Sequence, residues 1–149
     1  MSEPTADPPV TALPRRRADD EGPRSPRPPI AGVRGATTLV ADTREQILER
    51  TAELLAAMLE RNGLTSEDVI SLVFTATDDL RSEFPAAAVR AAGVADVPML
   101  CARELAMDSE SNIPRCVRVL AHVHTDRARD ELRHVYLHEA RQLRSDLPE

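Results

Sequence analysis

Four charged side chains interrupt stretches that are otherwise apolar. Arg34 sits in VRGATT, Glu104 in VPMLCAREL and Arg118 in CVRVLAHV, while Arg90 lies in a short segment that opens at Pro85. Burying a charge is costly unless it is paired. For any one of the four alone, the ordinary reading is a residue turned to solvent. Four of them spread along the chain favour a shared pocket for an anion, rich in arginine and poor in nucleophiles.

The remaining reactive residues exclude several chemistries. All nineteen basic residues are arginine, so Schiff-base and lysine-base catalysis and a P-loop are ruled out. His122 and His124 share one strand face, and His134 and His138 are four apart. Zinc asks for three or four convergent ligands, and the cysteines have no CxxC spacing, so no metal is expected. Cys101 has no base among its neighbours Leu100, Ala102 and Arg103, and it reads as a small buried filler. Cys101 and Cys116 fit free thiols in a reducing cytoplasm, although sequence alone leaves a disulfide open. There is no glycine-rich phosphate loop and no nucleophile elbow. The net charge of −6 argues against a nucleic-acid partner. No apolar run approaches the roughly 18 residues of a membrane span, and the N-terminus lacks an apolar signal region. A cytoplasmic protein with no membrane partner is expected.

Two regions differ in composition. Eight of the twelve prolines precede residue 30, and that stretch has no hydrophobic periodicity. Residues 1–30 are therefore expected to be a disordered Pro/Arg-rich tail, with Arg15-Arg16-Arg17 neutralised by Asp19, Asp20 and Glu21. Residues 31–149 form the expected domain. Its first strand runs over residues 31–40. Asp42 then offers an N-cap, with Glu45 as a capping-box partner, for a long helix over residues 43–61. Ile47, Leu48, Thr51, Leu54, Leu55, Met58 and Leu59 mark the apolar stripe of that helix, and Asn62-Gly63 stops it. Further strands are expected over residues 69–76, 97–105 and 115–125, and a last one near 134–137. A short helix starts at Pro85, another lies around 129–133, and residues 106–114 read as a loop. The order implies an α+β fold, a mixed β-sheet with one long and one short covering helix. With only Phe74, Phe84 and Tyr136 as aromatic residues, the core must be aliphatic. A sheet covered on one face leaves the other for identical chains.

The segments VRGATT, TATDDLRSEFPAAAVR, VPMLCAREL, RCVRVLAHVHTD and RHVYLHEARQLRSDL resemble, in order and spacing, the successive motifs of the monofunctional chorismate mutases of the Bacillus type. The resemblance covers residues 33–147. It implies a homotrimer, a pseudo-α/β-barrel with sites in the clefts between subunits, that converts chorismate to prephenate without a cofactor. It implies that Arg118 meets the substrate ether oxygen and Glu104 the substrate hydroxyl. By the same resemblance Arg34, Arg90, Tyr136, Phe84, Cys101, Leu143 and Arg144 surround the substrate. Two departures stand out: Ala87 replaces a lysine common in the family, and the loop over residues 106–114 is longer and more acidic. A trimeric imine deaminase of similar architecture explains a carboxylate-binding arginine but not Glu104 and Arg118 together. A non-catalytic module binding chorismate or another aromatic metabolite is the alternative from outside the enzymes.

Overall fold

The computed structural model describes residues 29–108 and 112–144. The expected tail, apart from Pro29 and Ile30, lies outside the described residues, as do residues 109–111 of the expected loop.

The first strand, β1 (Ile30–Thr38), leads into the long helix α1 (Arg44–Arg61). The cap of that helix differs from expectation. Thr43, not Asp42, is the N-cap, and its side chain accepts from the Gln46 N–H. Asp42 instead accepts from the Arg81 and Ser82 N–H groups, both at 3.1 Å, tying the helix entrance to a distant loop. Both residues are good N-caps; the long-range bonds leave Thr43 the local role. Ile47, Thr51, Leu54 and Met58 are the buried stripe of α1. At its end Asn62 is buried. Its amide donates to the Met58 and Arg133 carbonyls at 2.7 and 2.8 Å and its oxygen accepts from the Arg133 N–H at 2.8 Å. Gly63 then takes a left-handed φ of 63°, which terminates the helix.

The other elements are β2 (Val69–Ala76), α2 (Ala86–Ala91), β3 (Met99–Arg103), β4 (Cys116–His124) and β5 (Val135–Tyr136). Short 3₁₀ turns cover Ser66–Asp68, Arg129–Glu131 and His138–Arg144. The turn at His138–Arg144 replaces a stretch with no expected element. Its first residue, His138, has a φ of 54°.

The five strands form one mixed sheet in the order β3-β2-β4-β1-β5. β4 runs antiparallel to both β1 and β2, whereas β3 and β5 are parallel to their neighbours. Side chains alternate between faces along a strand. Val33, Phe74, Val117, Val119 and Val123 all turn to the side of α1 and form the core with Ile47, Leu54 and Met58. Gly35 makes close packing possible. A Cβ there would lie 2.5 Å from Met58 Sδ and 3.0 Å from Leu54 Cδ1. The fold is thus α+β, with helices on one face of the sheet. On the opposite face lie the alternate residues Arg34, Val73, Thr75, Arg118, Leu120 and Tyr136, to which the register brings neighbours Arg118↔Thr75 and Leu120↔Arg34. Neither α1 nor α2 covers that face; the 3₁₀ turn His138–Arg144 packs Ala140 against Ala36 and Cys116 there, and Leu100 and Leu120 remain exposed.

Candidate functional site

The register of the open face, more than any local motif, assembles the site. Arg118 lies on β4 directly opposite Thr75 of β2 and Ala36 of β1. Glu104 follows β3, where its N–H donates to the Ala76 carbonyl at 3.0 Å and so extends the β2–β3 pairing by one residue. That extension brings the carboxylate to Arg118. Arg118 Nε lies 3.0 Å from Glu104 Oε1, and the side chains are 44% and 19% exposed. The Thr75 hydroxyl donates to the same oxygen.

Beside this pair is a cleft of about 350 Å³, within the range of small-molecule sites. Arg34, Arg118 and Arg144 line it together with Tyr136, Leu143 and Leu120. Among the described residues its lining holds three arginines and no carboxylate, which suits an anionic ligand. Arg34 Nη2 donates to the Tyr136 hydroxyl at 3.0 Å, holding both side chains at one wall. The strained His138 starts the turn that carries Leu143 and Arg144 back over the sheet. The N–H of Glu139 donates to Thr38 Oγ1 at 3.1 Å, and Ala140 is buried against Ala36 and Cys116, so this turn is anchored.

His134 supports the Arg34 strand from the β5 side. Its Nδ1 accepts from the Arg34 N–H at 3.0 Å, which requires an unprotonated nitrogen. Burial, then the Arg34 and Arg144 charges, hold its pKa below the ordinary 6.5. Two of the other histidines have separate partners. His122 Nδ1 lies 3.0 Å from the Ser71 hydroxyl, and His138 pairs with Glu53 at 3.0 Å.

The remaining nominated residues are elsewhere. Phe84 and Cys101 line a separate cleft of about 420 Å³ at the β3 edge. Cys101 shares a sheet face with Phe74, not with Arg118, because its strand position has the opposite parity to Glu104. It is exposed, not the buried filler expected, since β3 is an edge strand with nothing described beyond it. Phe84 is 64% exposed. Arg90, exposed in the last turn of α2, is close enough to help lower the pKa of Glu83, which chiefly reflects the bond from the Phe84 N–H. Both cysteines are free. Cys116 is buried, and burial pushes its thiol pKa up despite the Arg118 charge nearby. Thr75 was not singled out by the sequence, where it reads as one more β-branched strand residue.

An α+β domain bearing an arginine-lined cleft and a clamped arginine belongs among small-molecule sites that act by charge and position. Residues 30–147 match the family described as chorismate mutase type I. The chain is 49% identical over 119 residues to the chorismate mutase AroH of Thermus thermophilus, covering 79% of this chain and 96% of that one. It is 44% identical over 119 residues to the chorismate mutase AroH of Bacillus subtilis, covering 79% and 92%. A solved chorismate mutase from Clostridium thermocellum superposes with a TM-score of 0.71 at 39% identity, over 75% of this chain and 98% of that one. The chain belongs to the chorismate mutase type I family; it is a chorismate mutase, an isomerase.

Proposed function

We propose that the protein converts chorismate to prephenate as a cytoplasmic homotrimer, a pseudo-α/β-barrel with each site shared between two subunits. The domain in this reading spans residues 31–149, with residues 1–30 outside it. The observation that carries the shared site is the division of the nominated residues. Arg34, Tyr136, Arg118, Leu143 and Arg144 line one cleft, whereas Phe84 and Cys101 line another at the exposed β3 edge. A neighbouring subunit whose β3 edge covers the open sheet face of this one brings the two groups together. The exposed Leu100 and Leu120 on that face favour such burial.

The rearrangement takes place within a single substrate, so the protein's tasks are positioning and electrostatics. Arg34, with Tyr136, and Arg90 bind the two carboxylates and hold the enolpyruvyl arm over the ring, removing an entropic part of the barrier. The ether oxygen gains negative charge as its C–O bond breaks. Arg118 donates to it, and in a crevice closed by a neighbour that interaction is stronger than in water. Glu104 accepts from the substrate hydroxyl and complements positive character on the ring. Arg34 and Arg90 bind substrate and transition state similarly and so weigh more on KM.

The test is complementation. Arg118→Ala and Arg90→Ala chains carrying different tags are co-expressed, mixed trimers are isolated, and chorismate loss is followed spectrophotometrically below KM. Three-fold symmetry leaves roughly one intact site in three in every mixed trimer. Activity above both parents is the expected result. Mixed assemblies no better than the parents would overturn the shared site, and a wild type that binds chorismate without turnover would return the binding-module reading.

A further inference from the structure

The Arg118–Glu104 pair has a third member. Thr75 lies opposite Arg118 in the β2–β4 register, on the open face, and lines the same cleft. Its hydroxyl is bonded to Glu104 Oε1, the oxygen that also meets Arg118 Nε. An ionised carboxylate only accepts, so Thr75 is the donor. Oε1 thus carries two donors from two different strands.

We infer that Thr75 is a positioning residue for the rearrangement, acting through Glu104. The inference rests on the proposed roles of Arg118 and Glu104. A glutamate has three side-chain torsions to fix, and losing their freedom is unfavourable. Two donors converging on Oε1 pin the carboxylate from the sheet side. The second oxygen is then left for the substrate hydroxyl. Clamping Arg118 through Nε leaves its terminal N–H groups for the ether oxygen. Without the Thr75 hydroxyl, Arg118 is the one partner left to Oε1 among the described residues. Glu104 and the guanidinium can then shift together, and a misplacement of about 1 Å is enough to cost up to about 100-fold.

The test uses full-length Thr75→Val, Thr75→Ala and Thr75→Ser proteins, with oligomer mass and thermal unfolding checked first. Valine keeps the β-branched shape suited to a strand but replaces the hydroxyl. Alanine is a second hydroxyl-free variant if valine does not fold. Serine keeps the donor. The expected result is a kcat loss of roughly 10-fold or more in the hydroxyl-free variants. KM should change less than about threefold, and serine should restore kcat to within about threefold of wild type. In a Glu104→Gln background the Thr75 substitution should add little, because the two act as one unit. Near-normal kcat in the folded hydroxyl-free variants would overturn the inference, as would equal losses for serine and valine. Fully additive losses with Glu104→Gln would overturn the route through Glu104. Arg118→Ala run alongside separates the two levels. If it retains kcat, the site reading itself falls; if it collapses while Thr75→Val stays active, only the positioning role does.

Discussion

Replacing Arg118 by alanine is expected to separate stability from catalysis. The Arg118 side chain is 44% exposed in the single chain and its partner Glu104 19%, with Nε and Oε1 3.0 Å apart. Solvent screens a pair this open, so its contribution to folding is at most about 1 kcal/mol. Glu104 also keeps the Thr75 hydroxyl as a donor when Arg118 is removed. The melting temperature is therefore expected to fall by only a few degrees, roughly 2–8 °C per kcal/mol for domains near this size. Catalysis is expected to respond differently. A charged donor aimed at charge that develops only in the transition state is worth on the order of 3–4 kcal/mol, or about 10²–10³ in kcat. Arg118→Lys is expected to remain well below wild type, because one ammonium cannot both hold Glu104 and reach the ether oxygen as a planar fork does. The assay is chorismate loss over a range of concentrations, so that kcat and KM are resolved, with prephenate identified as product. A folded Arg118→Ala protein with kcat within about threefold of wild type would refute the role given to the guanidinium. A loss of kcat matched by gross unfolding would assign Arg118 to structure instead.

Two further outcomes follow from the fold. Gly35→Ala sets a methyl against Met58 Sδ and Leu54 Cδ1 and is expected to destabilise by about 1–3 kcal/mol, read by denaturant unfolding; an unchanged midpoint would deny the close approach of α1 to β1. His134 has a pKa below its ordinary 6.5 through burial and the Arg34 and Arg144 charges, so below that pH the unfolded chain binds a proton that the folded one resists. Its neutral form thus contributes stability that is complete above 6.5 and is lost as pH falls from there through the folded value. Thermal unfolding from about pH 7.5 to about pH 5 should show a weaker pH dependence in His134→Asn, which can still accept from the Arg34 N–H; parallel curves would remove His134 as the cause.

Much of the architecture is carried by local pattern. The 3.6-residue stripe of Ile47, Thr51, Leu54 and Met58 and the alternation of Val117, Val119, Ala121 and Val123 with Arg118, Leu120 and His122 identify α1 and β4 without knowledge of the rest of the chain. Arg34, Glu104 and Arg118 are also legible there, because charges inside apolar strands stand out. Local pattern does not reveal what depends on partners far away in sequence. The sequence points to Asp42 as the cap of α1, but the Arg81 and Ser82 amides claim its carboxylate and Thr43 caps the helix instead. Thr75 is an unremarked strand residue until the register sets it against Arg118 and Glu104. Cys101 and Phe84 belong to the same motif set as Arg118, but strand parity for Cys101 and the loop before α2 for Phe84 put them in a different cleft of the chain. Periodicity within a segment depends on backbone geometry over a few residues, so the sequence alone determines elements, their buried faces and the charges they carry. Register and parity between segments depend on pairing across tens of residues, so only the tertiary structure decides which of those charges meet.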